Sequence, residues 1–243
     1  MGIAKRDGVD WVGIAAVDGI YVEDQPVVLL EADDVRVDTT SYSASHAVPS
    51  GASRMFFVVV HYESFNSESS PTTFTVTWGG QSMTLIEEAF WNDVANGAGV
   101  SVFGILESAI GSMSGTTLSI TNLTGRSIIS IHKLGNASQS LPTGGRVTSG
   151  SKTGASPISG LSVSALERGM SLGFHTEGGA VVNSVAWVGT NPINANTGYL
   201  EGNSMSGFWG TRTSVANETV ATQADVNITS TRCAGIGVAV NPV

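Results

Sequence analysis

Met55-Phe56-Phe57-Val58-Val59-Val60-His61-Tyr62 decides the fold class. It is an unbroken apolar run of strand length, rich in β-branched and aromatic residues. That composition predicts a central strand buried on both faces. Downstream, Thr73-Phe74-Thr75-Val76-Thr77-Trp78 alternates with a period of two and stops at Gly79-Gly80, and Ser82-Met83-Thr84-Leu85-Ile86 returns from that turn. Gly99 to Leu106 repeats the buried pattern, and residues 117–121 and 127–132 follow as a pair joined at Gly125. Upstream lie Val27-Val28-Leu29-Leu30 and a polar strand over 41–48, closed by Pro49-Ser50-Gly51. Residues 135–160 hold few large apolar side chains and are expected to form a long loop with at most one edge strand. Strands resume over 160–165, 170–176, 181–188, 204–211 and 232–240, while Pro157 to Leu166 has room for one helical turn. The spacing predicts an all-β chain: a jelly-roll-like antiparallel β-sandwich over residues 27–243, preceded by a small β segment over residues 1–26.

Composition agrees. Of 243 residues 30 are Gly and only 13% are charged, too few for a set of surface helices. The net charge of −9 disfavours phosphate backbones and anionic lipid surfaces, so neither nucleic acid nor membrane is an expected partner. One cysteine, Cys233, excludes an intrachain disulfide and is expected to be a buried thiol on a strand. No apolar run is long enough to span a bilayer, and the polar start Met1 to Gly8 lacks an apolar signal core. Synthesis in a cytoplasm is the expectation.

The first 23 residues carry a short repeat. Ile3-Ala4-Lys5-Arg6-Asp7-Gly8-Val9 is echoed by Ile14-Ala15-Ala16-Val17-Asp18-Gly19-Ile20. Each Asp-Gly sits between apolar runs, a signal for a two-residue hairpin turn. Ile3, Val9, Trp11, Val12, Ile14, Val17, Ile20 and Val22 are more apolar surface than two small hairpins bury alone. They are the candidate assembly interface.

Taken in order, these pieces resemble a known module. Val48-Pro49-Ser50-Gly51-Ala52, Arg54 to Val60, Val76-Thr77-Trp78-Gly79-Gly80-Gln81-Ser82-Met83-Thr84, Gly99 to Phe103 and Ala234 to Val240 are similar to a β-sandwich module of phage and bacterial surface proteins. The N-terminal doublet is similar to Ile-Ala-Lys-x-Asn-Gly-Val repeats near the ends of tailed-phage virion proteins, with Asp7 and Asp18 in place of Asn. The resemblance covers residues 1–134 and 232–243. It implies a structural protein of a virion, made in the host cytoplasm, most simply a short tail fibre that attaches by its N-terminal repeat and faces the host. A capsid decoration protein and a bacterial carbohydrate-binding module are the alternatives. Implied partners are other virion proteins, further copies of the chain in a trimer, and a host-surface glycan.

No enzyme, cofactor or metal site is expected. His46, His61, His132 and His175 are scattered without ligand spacing and are expected to be structural. Asp33-Asp34 and Glu87-Glu88 are neighbours on strands, so the members of each pair point to opposite faces and cannot act on one bond. Trp78 and Trp187 are expected in the core. Phe90-Trp91 and Phe208-Trp209 place adjacent aromatics on opposite faces, which predicts one of each pair at the surface or under another chain; Trp91 and Trp209 are the candidate surface contacts.

Overall fold

The computed structural model describes residues 15–17, 20–22, 25–64, 73–93, 96–124, 126–142, 144–149, 160–179, 184–202, 205–226 and 232–243. At its start, β1 (Ala15–Val17) and β2 (Ile20–Val22) pair antiparallel, Val17 opposite Ile20. This is the two-residue hairpin expected around Asp18-Gly19. The first copy of the repeat lies outside the described residues.

Ten elements follow up to Gly135: β3 (Val28–Val37), β4 (Ser41–Ser45), β5 (Met55–Ser64), β6 (Thr75–Trp78), β7 (Gln81–Ser82), β8 (Thr84–Asp93), β9 (Asn96–Leu106), the helical turn α1 (Glu107–Ile110), β10 (Thr117–Thr121) and β11 (Ser127–Gly135). They form a five-stranded sheet in the order β3-β11-β5-β9-β8 and a four-stranded sheet in the order β4-β10-β6-β7. That is jelly-roll connectivity with β8 added at one edge. The helical turn falls at Glu107–Ile110, where Arg54 Nε and backbone N both donate to Glu107 Oε2 at 2.8 Å. Of residues 157–166, the described part from 160 on holds a strand and no helical turn.

The second half repeats the first. β12 (Gly144–Ser149), β13 (Ser162–Ala165), β14 (Met170–Gly178), β15 (Val185–Val188), β16 (Ala195–Gly202), β17 (Met205–Thr213), β18 (Glu218–Ala221), β19 (Gln223–Val226) and β20 (Arg232–Val240) are the remaining strands. Their large sheet runs β12-β20-β14-β17-β16, the first half's order strand for strand. In the outer layer β13 and β15 match β4 and β6, and the counterpart of β10 is broken at Thr222 into β18 and β19, which pair separately with them; among the described residues no strand matches β7. Residues 27–243 are therefore the all-β, jelly-roll-like antiparallel sandwich expected from sequence, and the strand order divides it into two stacked jelly rolls.

Register fixes the correspondence. Met55 lies opposite Leu106 and Leu134, and Met170 lies opposite Thr213 and Val240. Phe57 then matches Leu172, Val59 matches Phe174, and His61 matches Thr176. All of these face the space between the halves, where the two large sheets share one core of Met55, Phe57, Val59, Val100, Leu172, Phe174, Ile236 and Val238. The halves meet at both poles: the matched pair His61 and Thr176 lies with Nδ1 2.9 Å from Oγ1, and at the far end Ala137 bridges Pro242 antiparallel, one position from its match. The halves are thus related by an approximate two-fold axis running along the strands.

The outer faces are filled differently. In the first half Phe56, Val58, Val60 and Tyr62 pack against Trp78, Leu118 and Ile120 of the small sheet. In the second, Gly173 and Gly210 let Trp187 and Ile193 lie directly on the backbone; a Cβ at Gly173 would sit 2.8 Å from Trp187 and 2.9 Å from Ile193.

Candidate functional site

Polar residues concentrate at the pole where β5, β14 and β20 meet. Glu63 is fully buried, yet it closes β5 after a long apolar run. It accepts from Arg232 Nη2, from Arg126 Nη1 at 3.2 Å and from the Gly179 backbone N at 3.1 Å. A buried carboxylate is tolerated only with such partners. Here they come from both halves, so the ion pair joins the two jelly rolls. Beside it, His61 shares hydrogen bonds with Thr176 and, at 3.3 Å, with Ser130. Burial pushes the His61 imidazole down to about 3, with His175 adding to the effect. Burial does the same to His132, also to about 3. His132 has no hydrogen-bond partner for either ring nitrogen; it lies edge-on to Trp209 at 4.5 Å between ring centres. These side chains are neutral fasteners at neutral pH.

The outer sheet of the first half presents a different surface. Ser41, Ser43 and Ser45 of β4 stand opposite Thr121, Ser119 and Thr117 of β10, and Thr75 and Thr77 of β6 continue two of these rows. The alternate residues Tyr42, Leu118, Ile120, Val76 and Trp78 point into the core. The result is an uncharged face of aligned hydroxyls on a chain of net charge −9. A third feature, an open cleft of about 540 Å³, lies at the opposite pole between β13, the end of β20 and the segment Ser138 to Pro142 that leads into the second half.

Of the candidate assembly residues, Ile3, Val9, Trp11, Val12 and Ile14 lie outside the described residues, and Val17, Ile20 and Val22 lie in the β1–β2 hairpin. Trp91 is half-buried on β8, and its neighbour Phe90 stacks on Tyr62 at 5.9 Å. Trp209 is not a surface residue: it is 7% exposed in the shared core, with Nε1 donating to both oxygens of Asp34 at 3.0 and 3.1 Å. Phe208, on the other face of β17, is covered by Trp187 and Ala224. Sequence alternation put the pair on opposite faces correctly, but both faces of this sheet are covered by the chain itself. Asp33 and Asp34 do diverge, toward His46 and Trp209 respectively. Cys233 is buried on β20 and donates to Glu177 Oε2 at 2.7 Å.

Glu63, Arg126 and Arg232 were not singled out from sequence. Their signal was there: a lone carboxylate and a lone guanidinium, each next to a strongly apolar strand. Among the described residues no cluster of His, Cys, Asp and Glu could hold a metal ion, and no helix is long and apolar enough to cross a membrane. Neither a protein-family model nor a curated protein matches the chain.

Proposed function

We propose that the chain is a structural protein of a tailed-phage virion, a short tail fibre or similar appendage, attached by its N-terminal repeat and facing the host with the far pole. The observation that carries this is polarity. The N-terminal hairpin enters at Val27, whose backbone N donates to Arg168 O at 2.9 Å, and Val243 N donates to Asn136 O at the same pole. The ends of β5, β8, β14 and β16 are gathered at the other pole, away from this entry. An element that attaches by one end and presents loops at the other needs this layout. Jelly rolls recur in viral capsid and lectin domains, which supports the assignment by analogy of fold. The uncharged hydroxyl face suits contact with a neutral, hydrogen-bonding partner such as a glycan.

Deleting residues 1–23 tests the attachment. The truncated chain should keep its thermal transition and fail to join particles. A truncated chain that joins them normally, or that loses much of its thermal stability, sinks the proposal. Copy number separates a fibre from a decoration protein: a few tens or fewer per particle fits the fibre, hundreds the decoration protein.

A further inference from the structure

The hydroxyl face on the outer sheet of the first half is set apart by its lack of charge. Residues 39–53, 73–86 and 108–124 build that sheet and its turns, and none of them is Asp, Glu, Lys or Arg. The fold does not impose this. The matching outer layer of the second half is broken at Thr222 and carries Glu218 on β18 and Asp225 on β19. A continuous uncharged sheet is therefore a property of this stretch of sequence and not of the jelly roll.

The hydroxyls form a lattice. His46 N donates to Thr116 O at 3.0 Å, which makes that pair a bonded one. Bonded and non-bonded pairs alternate along an antiparallel ladder. Ser45–Thr117, Ser43–Ser119 and Ser41–Thr121 are then the closely spaced, non-bonded pairs. Ser43 and Ser119 show the closeness, Oγ to Oγ at 3.4 Å. Thr77 and Thr75 of β6 carry the last two rows one strand further. Rows recur about every 6.8 Å along the strands, and members of a row step about 4.8 Å from strand to strand. The row Ser41–Thr121–Thr75 lies nearest the far pole, where β3 turns into β4 and β10 leads to Ser127, opposite Tyr62. Apart from Ser43 and Ser119, the hydroxyls of the face have no hydrogen-bond partner among the described residues. The rings of Tyr42 and Trp78 point inward, so the face offers hydrogen bonds without stacking.

This chemistry selects its partner. The cores of protein interfaces gather aromatics, Met and Arg and are poor in Ser. An anionic partner finds no cation on the face and meets a chain of net charge −9. A neutral sugar chain fits: each side-chain hydroxyl supplies one donor and two acceptors, as a sugar hydroxyl does. We infer that this face binds a neutral polysaccharide laid across β4, β10 and β6, one sugar unit to each strand. A pyranose unit is close in length to the spacing between strands. A hydrogen bond made in exchange for one to water contributes little, so the face holds a run of units and not a monosaccharide. This rests on the reading of the chain as a host-facing appendage and gives that reading a contact surface.

The test uses the full chain and biolayer interferometry on tips carrying dextran, mannan or laminarin, with hyaluronan as the anionic comparator. Binding to at least one neutral polymer and none to hyaluronan is expected. No binding to any of the three, or equal binding to hyaluronan, overturns the inference. Ser119→Lys places a charge in the middle row. It should weaken binding at least tenfold at an unchanged melting temperature, while Thr219→Lys, on β18 of the second half, binds as the unaltered chain does. Should Ser119→Lys unfold, Ser43→Lys on the edge strand β4 takes its place. Full binding by the folded variant overturns the inference. So does competition by free glucose or mannose as strong as that of an equal mass of the polymer. If no polymer binds while the chain lacking residues 1–23 fails to join particles, attachment stands and this face is wrong. If a polymer binds while the truncated chain joins particles normally, the face stands and the attachment reading fails.

Discussion

At the scale of single residues, the shared core sets both a pH limit and a packing limit. His61 and His132 are held neutral with pKa values of about 3, against 6.5 for an unconstrained imidazole. Between those values the unfolded chain takes up protons that the folded chain refuses. Stability is therefore full above about pH 6.5 and falls as pH drops toward 3, by about 1.4 kcal/mol per pH unit for each histidine. Urea titrations at stepped pH should show this slope. His132→Leu should reduce it by one histidine's share and raise stability at low pH, since His132 has no hydrogen bond to lose. On the outer face of the second half, Gly173→Ala sets a methyl against Trp187 and Ile193. It should cost about 1–3 kcal/mol in denaturant unfolding. The equivalent Val58 of the first half carries a full side chain, packed in one core with Trp78, Leu118 and Ile120.

At the scale of elements, the ion pair at the end of β5 is the sharpest test. Glu63→Ala removes the buried carboxylate that accepts from Arg232, Arg126 and the Gly179 N–H, and should cost about 3–5 kcal/mol in the same assay. An effect below about 1 kcal/mol would show that Glu63 does not fasten the halves. The elements themselves were largely legible. Met55 to Tyr62 declared a buried strand, Gly79-Gly80 a hairpin, and Asp18-Gly19 another, because turn chemistry and burial on both faces are local signals. Residues 135–160 read as a long loop with at most one edge strand, and β12 is an edge strand within them. The duplication was not legible. A sandwich constrains only the polarity pattern of its strands, and matched positions such as Val58 and Gly173, or His61 and Thr176, share no chemistry. Strand order reveals the repeat; residue identity does not. Trp209 was misplaced for a related reason: alternation tells which face a side chain takes, but not whether a second sheet lies over it.

At the scale of the whole molecule, the halves should unfold together. Their common core draws Phe57 and Val59 from one and Leu172 and Phe174 from the other, so neither jelly roll is complete alone. Phe174→Ala should cost about 3–5 kcal/mol. Fluorescence of Trp78 in the first half and Trp187 in the second, read in single-tryptophan variants, should lose structure at one midpoint. Two separated midpoints would mean the halves are independent. The approximate two-fold axis has a further consequence. A chain that carries an imperfect dyad behaves, for counting purposes, as a covalently joined pair. Its two large sheets carry the same strand order, so a partner that recognises an edge of one half meets a related edge on the other, turned through half a revolution.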